Sequence, residues 1–412
     1  MKILSLPAYF PPESVAGSHL GADLNRAFIK EGFKIILYVP SPSRGITREQ
    51  RKLYRKKRRE KLYDGHMTVN RFPMFPEGTN PFLRSIRYAL CSIIQFFKSL
   101  PTRGIDLIYV VSTPPIQGAF AALLKKIKKI PFVYCLQDIF PDSLVNTGLT
   151  KKGSLLWKAG RIIENFTYRN ADKIIVISKD FKNNLLLKGV PPEKIVVIYN
   201  WVDEKKIINI PRDENILIKR YDLNQHMFYI THCGNIGLTQ NMDMLLESAK
   251  ELEHYEDIVF ILIGDGSYKE QVESKIRSEN IKNIILLPFQ PYEDISHVFS
   301  LGNVSLVISK PGIGENSVPS KTWSIMSAGR PVLASFDENE LKDIIESNAC
   351  GVFTKSGDKE AFKAAILTLY NDREKCNELG GNGRDFLLKN LSADRSTTAY
   401  VELIKQFENK KL

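Results

Sequence analysis

The stretch SVPSKTWSIMSAGRPVLAS, residues 317–335, has the residue types and the order expected of a helix end that binds phosphate. Pro319 fits the first helical position, where its missing N–H removes no hydrogen bond. Lys321 falls in the first turn, where the free N–H groups and the helix dipole favour an anion. A lysine at that position therefore predicts an anionic partner such as a phosphate group. The alternative is an ordinary strand–helix–strand unit whose lysine binds no ligand.

Glycines at the ends of apolar runs predict where such a ligand would be bound. Gly329 is expected to end the helix, and Pro331 prevents its continuation into the next strand. Gly17, the pair Gly234 and Gly237, and the segment 264–273 each join an apolar run to a helical pattern. Glycine lets the backbone approach a ligand at the carboxyl ends of parallel strands, although a tight turn alone would also need it. Together these junctions predict a cleft for a phosphorylated ligand.

Apolar runs alternate with helical patterns along the whole chain, which is typical of parallel α/β layering. We therefore expect two doubly wound Rossmann-like domains, of residues 1–199 and 200–392, facing across a cleft, with the linker near 199–212. A final helix over about 393–412 is expected to pack back on the first domain. The predicted strands are 2–6, 33–39, 106–111, 132–136, 173–178, 227–234, 257–266, 283–288, 303–309 and 330–335, and the predicted helices of the first domain are 18–31, 81–99, 115–129 and 154–170.

Composition agrees with a globular protein of two domains. A chain of 412 residues exceeds the ~250–300 residues that one core supports, and 43% hydrophobic with 25% charged residues is ordinary. The five cysteines are odd in number, scattered and without C-x-x-C spacing, which indicates a reducing compartment. Pro7 interrupts any signal peptide, and no run approaches the ~18 apolar residues of a transmembrane helix. These features predict a cytoplasmic protein.

Positive charge is concentrated in the first half of the chain. Residues 1–200 contain 33 Lys and Arg against 14 Asp and Glu, a net charge of +19, whereas the remainder carries −7. This asymmetry predicts an anionic partner: a nucleic acid, a membrane surface or a lipid diphosphate. A basic surface that serves only solubility is the alternative.

Two segments of the first half could form that basic surface. Residues 48–61, REQRKLYRKKRREK, are expected to form a mobile or helical loop. Residues 81–100 place apolar side chains at helical spacing, and a core helix is the default expectation. An interfacial helix beside the polybasic loop is the alternative, and the charge asymmetry favours it.

With these motifs in view, the chain resembles the retaining glycosyltransferases of family 4, which have the two-domain GT-B fold. Within that family it resembles the fucosamine-transferase-like enzymes that extend undecaprenyl-diphosphate-linked glycans for O-antigen or capsule. The resemblance covers nearly the whole chain, and the GNIG and VPSK segments are its most specific parts. The segments that carry it are 10–32, 64–76, 136–148, 197–203, 234–249 and 310–335.

The resemblance implies a nucleotide-sugar donor, expected to be a UDP-sugar, and a lipid-linked glycan acceptor. It implies catalytic roles for Asp138 and Lys321, and peripheral contact with the anionic inner face of the plasma membrane. No nucleic-acid partner is expected. The residues implied in donor binding are Gly17, Gly234, Asn235, Gly237, Gln240, Lys310, Glu315, Ser317, Val318, Pro319, Ser320 and Ser324.

The chain departs from the family pattern at several of these positions. Asn235 and Gln240 stand where many members have an arginine and a lysine that bind the donor diphosphate. The paired glutamates of the family correspond to Asn316 and Ser324, with Glu315 one place away. Gln137 replaces an acceptor-side histidine, which leaves Asp138 as the nearest polar candidate.

The sequence predicts that no metal or other cofactor is required. It contains no D-x-D motif, and its six histidines are too dispersed for a ligand set. Two other functions remain open on the residues alone. One is a nucleotide-sugar epimerase of the same fold, and the other is a non-enzymatic basic module that binds membranes or nucleic acid.

Overall fold

The computed structural model describes residues 1–13, 15, 17–78, 80–146, 148, 150–314 and 318–408. Two of the expected donor-binding residues, Glu315 and Ser317, lie outside the described residues. The chain divides into two compact units. The first contains Met1–Tyr199 and Ser396–Leu412, and the second contains Asn200–Arg395.

The first unit is built on an eight-stranded sheet of order β3-β4-β2-β1-β5-β6-β7-β8, in which only β3 runs antiparallel to its neighbour. Its strands are β1 (Lys2–Ser5), β2 (Lys34–Pro40), β3 (Arg59–Leu62), β4 (Met67–Phe72), β5 (Leu107–Val111), β6 (Phe132–Leu136), β7 (Lys173–Val176) and β8 (Ile195–Val197). Its helices before the second unit are α1 (Ser18–Lys30), α2 (Arg48–Lys56), α3 (Pro81–Ser99), α4 (Gln117–Lys128), α5 (Asp142–Asn146), α6 (Leu155–Asn170) and α7 (Lys179–Leu187).

The second unit is built on a six-stranded parallel sheet of order β11-β10-β9-β12-β13-β14. Its strands are β9 (Phe228–Asn235), β10 (Ile258–Asp265), β11 (Ile284–Leu287), β12 (Val304–Ile308), β13 (Val332–Phe336) and β14 (Gly351–Lys355). The remaining helices are α8 (Ile216–Arg220), α9 (Met242–Glu251), α10 (Lys269–Ser278), α11 (Ile295–Ser300), α12 (Lys321–Ser327), α13 (Glu340–Ser347), α14 (Lys359–Asn371), α15 (Arg373–Asn390) and α16 (Ala393–Lys405).

Strand order in the second sheet creates one topological switch point, between β9 and β12. From β9 the chain proceeds outward through β10 and β11, then returns to the other side of β9 and continues through β12, β13 and β14. Strands β12 and β13 are buried along their whole length, as expected for a parallel sheet covered on both faces. Ligands of open α/β sheets bind where the carboxyl ends of the strands diverge at such a switch point.

The predicted fold class, two doubly wound α/β units, is confirmed, and each predicted strand overlaps an observed one. The sequence missed β3, β4, β8 and β14. The basic segment 48–61 is not a single loop or helix, because its last residues form β3 and pair with β4. The last part of α16 lies in the first unit, where the ring of Tyr400 contacts that of Tyr109 at a centroid distance of 6.3 Å.

Helix α3 was expected to be a core helix that buries its apolar face, and the structure shows the opposite orientation. Its buried face is polar: Arg87 and Gln95 are both 0% exposed. Gln95 Nε2 donates hydrogen bonds to the backbone oxygens of Pro7 and Tyr38, at 2.9 and 2.7 Å. Cys91 is also buried and Phe96 packs against the core, but most of the large apolar residues lie outside. The exposed ones are Phe82, Leu83, Ile86, Leu90, Ile93 and Phe97. The core prediction was wrong because the backbone oxygens of Pro7 and of Tyr38, on β2, are satisfied by Gln95, a polar side chain on the inner face of this helix.

Close packing of α15 fixes the end of α12, the helix that begins with Lys321. Gly329 ends the helix with a φ of +65°, a conformation that favours glycine. A Cβ at Gly380, on α15, would lie 2.2 Å from the backbone oxygen of Gly329. A side chain at Gly380 would therefore push α15 away from α12, whereas the neighbouring Gly381 has open space around its Cβ position.

We expect opposite effects from alanine at these two adjacent helical glycines. Gly380→Ala should lower the free energy of unfolding of the second unit by about 1–3 kcal/mol, because the backbone contact leaves no room for a methyl group. Gly381→Ala should raise it by about 0.5–1 kcal/mol through helix propensity. Urea titration of both variants measures the difference. Equal effects of the two substitutions would contradict the packing described here.

Candidate functional site

The candidate site lies at the switch point of the second sheet, where the loops after β9 and β12 meet. The backbone N–H of Lys310, which follows β12, donates to the backbone oxygen of Thr239 at 2.9 Å. Gly234, near the end of β9, has a φ of +121° and open space at its Cβ position. Gly264 on β10 is required there, because a Cβ would lie 1.9 Å from the oxygen of Gly234.

Gln240 closes the turn after β9 with its side chain. Its Oε1 accepts hydrogen bonds from the backbone N–H of Gly237 at 3.1 Å and from Asn235 Nδ2 at 3.2 Å. The residues that replace the family's arginine and lysine therefore bind each other and add no positive charge. Gly234, Asn235 and Gly237 were predicted to bind the donor, but the N–H of Gly237 is already bonded to Gln240 and that of Ile236 to the oxygen of Asp265. A diphosphate would have to displace the Gln240 amide to reach Gly237.

Lys321 provides the cation that this neutral turn lacks. It is the first residue of α12 and is largely buried, and its Nζ lies 3.4 Å from Nδ1 of His232 on β9. Burial lowers the pKa of Lys321 to about 8. Among the residues that the structure describes, no carboxylate forms an ion pair with this lysine. A largely buried ammonium group without a carboxylate partner is suited to bind an anion.

The start of α12 differs from the prediction that Pro319 is the first helical residue. The backbone oxygens of Pro319 and Ser320 accept hydrogen bonds from Thr322 and Trp323, so a tight turn precedes the helix. Ser320 occupies the N-cap position without a side-chain cap, and Val318 precedes this turn. Because α12 has only 7 residues, its dipole adds little, and the Lys321 side chain is the main source of positive charge.

Lys310 is a second cation beside the same loops. Its Nζ lies 5.4 Å from the centre of the Tyr268 ring, within the range of a cation–π contact. The Tyr268 hydroxyl in turn donates to Asp243 Oδ2 at 2.9 Å. Lys310 follows the last residue of β12, Ile308, by two positions, so it lies at the carboxyl end of that strand.

Two residues after β13 hold the loop that leads away from Lys310. Asp337 accepts hydrogen bonds from the backbone N–H groups of Gly312 and Gly314, at 3.0 and 2.7 Å. Asn339 Nδ2 donates to the oxygen of Gly314 at 2.7 Å. Sequence reasoning missed both residues and His232. Asp337 and Asn339 follow a predicted strand at the same sheet edge. That position in the sequence could have identified them as candidate site residues.

The remaining predicted site residues are Ser324 of the second unit and Gly17 and Asp138 of the first. Ser324 lies three residues after Lys321 on α12 and is partly exposed. Gly17 precedes α1 with a φ of +76°, which explains the glycine there, and Asp138 is exposed in the loop after β6. In the ranges of the chain that are described, no cluster of three or more His, Cys, Asp or Glu residues could hold a metal ion.

Family models match each half of the chain. Residues 22–206 match Glycosyltransferase Family 4, and residues 213–386 match Glycosyl transferases group 1. The chain is 27% identical over 329 residues to the probable glycosyltransferase WbjE of Pseudomonas aeruginosa, covering 78% of this chain and 81% of that protein. It is 26% identical over 302 residues to the putative colanic acid biosynthesis glycosyl transferase WcaI of Escherichia coli K12, covering 70% and 72%.

Solved structures share the fold over nearly the full length. Anabaena Alr3699/HepE in complex with UDP-glucose has a TM-score of 0.72 at 18% identity, covering 98% of this chain and 100% of that one. Sucrose-phosphate synthase from Thermosynechococcus elongatus has a TM-score of 0.77 at 15% identity, covering 98% of each chain. At these identities the likeness shows the fold alone. Taken with the family matches to both halves, it identifies the chain as a glycosyltransferase of the GT-B fold.

Proposed function

We propose that this glycosyltransferase moves a sugar, with retention of anomeric configuration, from a UDP-sugar to a polyprenyl-diphosphate-linked glycan. The donor we propose is an amino sugar of the UDP-N-acetyl-fucosamine type, used in O-antigen or capsule biosynthesis. The observation that carries the donor proposal is the largely buried Lys321 ammonium at the switch point. The names of the relatives support a polysaccharide pathway, and the HepE structure with UDP-glucose supports a UDP-sugar.

The proposed donor contacts follow from the charges at the site. Lys321 binds the diphosphate directly, and Lys310 adds the second positive charge from the loop after β12. Gly234 allows close approach of the phosphates because its Cβ position is open. Asn235 and Gln240 provide neutral hydrogen-bonding groups after Gln240 turns away from Gly237. This arrangement needs no metal ion, because two lysines balance the two negative charges of a UDP-sugar.

The proposed reaction breaks the bond between the anomeric carbon and the β-phosphate oxygen. Negative charge then grows on the β-phosphate, where an ammonium group stabilises the transition state more than the ground state. The acceptor hydroxyl attacks the same face of the sugar, its oxygen forms the new bond, and its proton passes to a phosphate oxygen of the leaving UDP. Asp138, exposed after β6, is our proposed residue on the acceptor side.

Helix α3 supports the proposed contact with a membrane-bound acceptor. Phe82 and Phe97, at its two ends, are 72% and 61% exposed, and four aliphatic residues between them share the same exposed face. Exposed apolar stripes of this size indicate an interaction surface. Helix α2 and the residues after it add exposed cations, including Arg55, Lys56 and Arg58. An apolar stripe and a run of exposed cations in the same unit both fit an anionic lipid surface.

We therefore propose a cytoplasmic enzyme that binds peripherally to the inner face of the plasma membrane. Within the described residues, every helix is too short or too polar to span a bilayer. The first half of the chain, which contains α2 and α3, is also the half with the net charge of +19. Peripheral attachment through this unit would bring the enzyme to a lipid-linked acceptor.

Lys321→Ala should reduce kcat/KM for UDP-sugar by about 10²–10³-fold, because one oxyanion-type contact is worth ~2.7–4 kcal/mol. The matched control is Lys219→Ala, which removes an exposed lysine of the same unit. Release of UDP in the presence of acceptor measures turnover, and thermal melting with and without UDP measures folding and binding. Near-normal turnover of a folded Lys321→Ala protein would refute the donor-binding role of this lysine.

Transfer should continue in excess chelator, because Lys321 and Lys310 replace a metal ion as the counter-charges of the diphosphate. The measurement is the rate of UDP release in EDTA and after addition of Mg²⁺ or Mn²⁺. Loss of activity that either ion restores would show that the diphosphate is neutralised by a metal ion.

Membrane binding should depend on both charge and apolar contact. Neutralising Arg55, Lys56, Lys57, Arg58 and Arg59 should weaken co-sedimentation with anionic vesicles at low salt, since each basic residue contributes about 1 kcal/mol. Phe82→Ser should weaken it at all salt concentrations, whereas Phe289→Ser, at an exposed aromatic of the second unit, should not.

The five-residue variant should also transfer more slowly to a lipid-linked acceptor than to a short soluble analogue. Vesicle binding unchanged in this variant, or independent of ionic strength, would mean that the basic run is only a solvated surface. A wild-type preference for RNA or DNA over anionic lipid would contradict the membrane proposal.

A further inference from the structure

His232 is a fully buried histidine between the two halves of the candidate donor site. It lies on β9 with 0% exposure. Its Nε2 is 3.2 Å from the backbone oxygen of Asn235, and its Nδ1 is 3.4 Å from Nζ of Lys321. One ring therefore contacts both the turn after β9 and the first residue of α12, which is 89 positions away in the chain.

The partners of the ring determine where its proton lies. A backbone oxygen can only accept a hydrogen bond, so Nε2 must carry the hydrogen. Nδ1 then has a free lone pair and can accept a hydrogen bond from the Lys321 ammonium group. An imidazolium would instead place an N–H donor against this cation. Burial, and then the charge of Lys321, hold the pKa of His232 well below its usual range. The ring is therefore neutral at physiological pH.

We propose that His232 is a positioning residue: a neutral, Nε2-protonated imidazole that holds the Lys321 ammonium at the donor diphosphate and ties it to the turn at Asn235. The functional part of this proposal rests on the proposed role of Lys321 in donor binding. The hydrogen-bond arrangement itself does not.

A neutral histidine can orient Lys321 without cancelling its charge, which a carboxylate cannot do. An aspartate or glutamate at the same place would also orient Lys321, but it would neutralise the ammonium charge and compete with the diphosphate. A neutral acceptor orients the group and leaves its charge available to a ligand. One of the three N–H donors of the ammonium is used by His232, which leaves two for phosphate oxygens.

Among the residues that the structure describes, few titratable groups adjoin this pair. Cys233, the next residue on β9, interacts electrostatically with Lys321. Burial raises the pKa of the Cys233 thiol to about 12, so it is a neutral thiol at physiological pH. On α12, Lys321 is itself the titrating group. The other contact of His232 is the Asn235 backbone oxygen, which does not titrate. Lys321 is thus the group of this cluster expected to titrate near pH 8.

The first test reads the proton position directly and needs no substrate. The long-range ¹H–¹⁵N spectrum of full-length protein labelled at its six histidines should show His232 as the Nε2–H tautomer, with the signal assigned by its loss in His232→Asn. The pattern should stay unchanged between pH 6 and pH 9. An Nδ1–H tautomer or an imidazolium would overturn the proposal.

The second test separates positioning from packing with three substitutions. In His232→Asn, the amide oxygen lies near the former Nδ1 and can still accept from Lys321. In His232→Gln, the amide lies near the former Nε2 and can still donate to Asn235, but Lys321 loses its acceptor. His232→Leu removes both contacts.

Lys321 binds the donor when charged, so wild-type kcat/KM should fall as pH rises through about 8.

Loss of the acceptor should destabilise the charged lysine and lower its pKa. The pH at which kcat/KM falls on the alkaline side should therefore be lower by about one unit in His232→Gln and His232→Leu. It should be the same as in the wild type in His232→Asn. The rate at which a lysine-directed reagent modifies the Lys321 peptide should show the same shift without any donor. Equal losses of kcat/KM in all three variants with no shift of the limb would mean a merely structural role.

The two readouts also distinguish failure of this proposal from failure of the donor assignment. Suppose that Lys321→Ala left UDP binding intact while the His232 tautomer and the pH dependence of Lys321 modification were as expected. The role of Lys321 in donor binding would then be wrong, and the hydrogen-bond arrangement would be supported. If UDP binding depended on Lys321 but the reagent profile did not change in His232→Gln, the positioning role of His232 would be wrong.

Discussion

A positive charge buried beside neutral groups is the constraint on which the proposed donor site depends. Removing an ammonium group from water costs free energy, and the fall of the Lys321 pKa to about 8 reflects this cost. A carboxylate neighbour would offset the cost but would also cancel the charge. Within the described part of the chain, the neighbours of this lysine are instead a neutral histidine, a neutral thiol and a neutral turn. The strongest stabilisation of the ammonium then comes from an anionic substrate.

Glycines make this arrangement possible by letting backbone segments approach one another. Gly264 allows β10 to pass against Gly234, and Gly266 does the same beside Ile236, where a Cβ would lie 2.2 Å from a backbone oxygen. These contacts fix the turn that begins after Asn235 and is closed by Gln240. The two ring nitrogens of His232 then connect that turn to Lys321. The geometry of the site thus comes from the sheet, while its charge comes from one short helix and one loop.

Sequence reasoning predicted the features that are set by residues close together in the chain. It missed the contacts between residues that are far apart in the chain. Buried parallel strands are near-continuous apolar runs, so the ten strands could be recognised. The edge strand β3 has no such run, and the edge strand β8 has only three residues. Lys321 was recognised because a lysine in a first turn is locally unfavourable. His232 was not, because its partner is 89 residues away. The orientation of α3 was wrong for a similar reason: Gln95 is buried by bonds to carbonyls of Pro7 and Tyr38, which no spacing within the helix indicates.

The distribution of charge explains why so few cations at the site could suffice. Residues 201–412 carry a net charge of −7, so the overall field of this half repels a nucleotide sugar. That field is screened within a Debye length of about 8 Å at physiological ionic strength. Two unit charges at 4 Å near a protein surface attract by about 4 kcal/mol, and burial protects this attraction from salt. In the proposed site, short-range contact with Lys321 and Lys310 would therefore outweigh the distant repulsion. The surrounding negative charge would disfavour anions that cannot reach both lysines, so the proposal makes selectivity and affinity depend on the same two side chains.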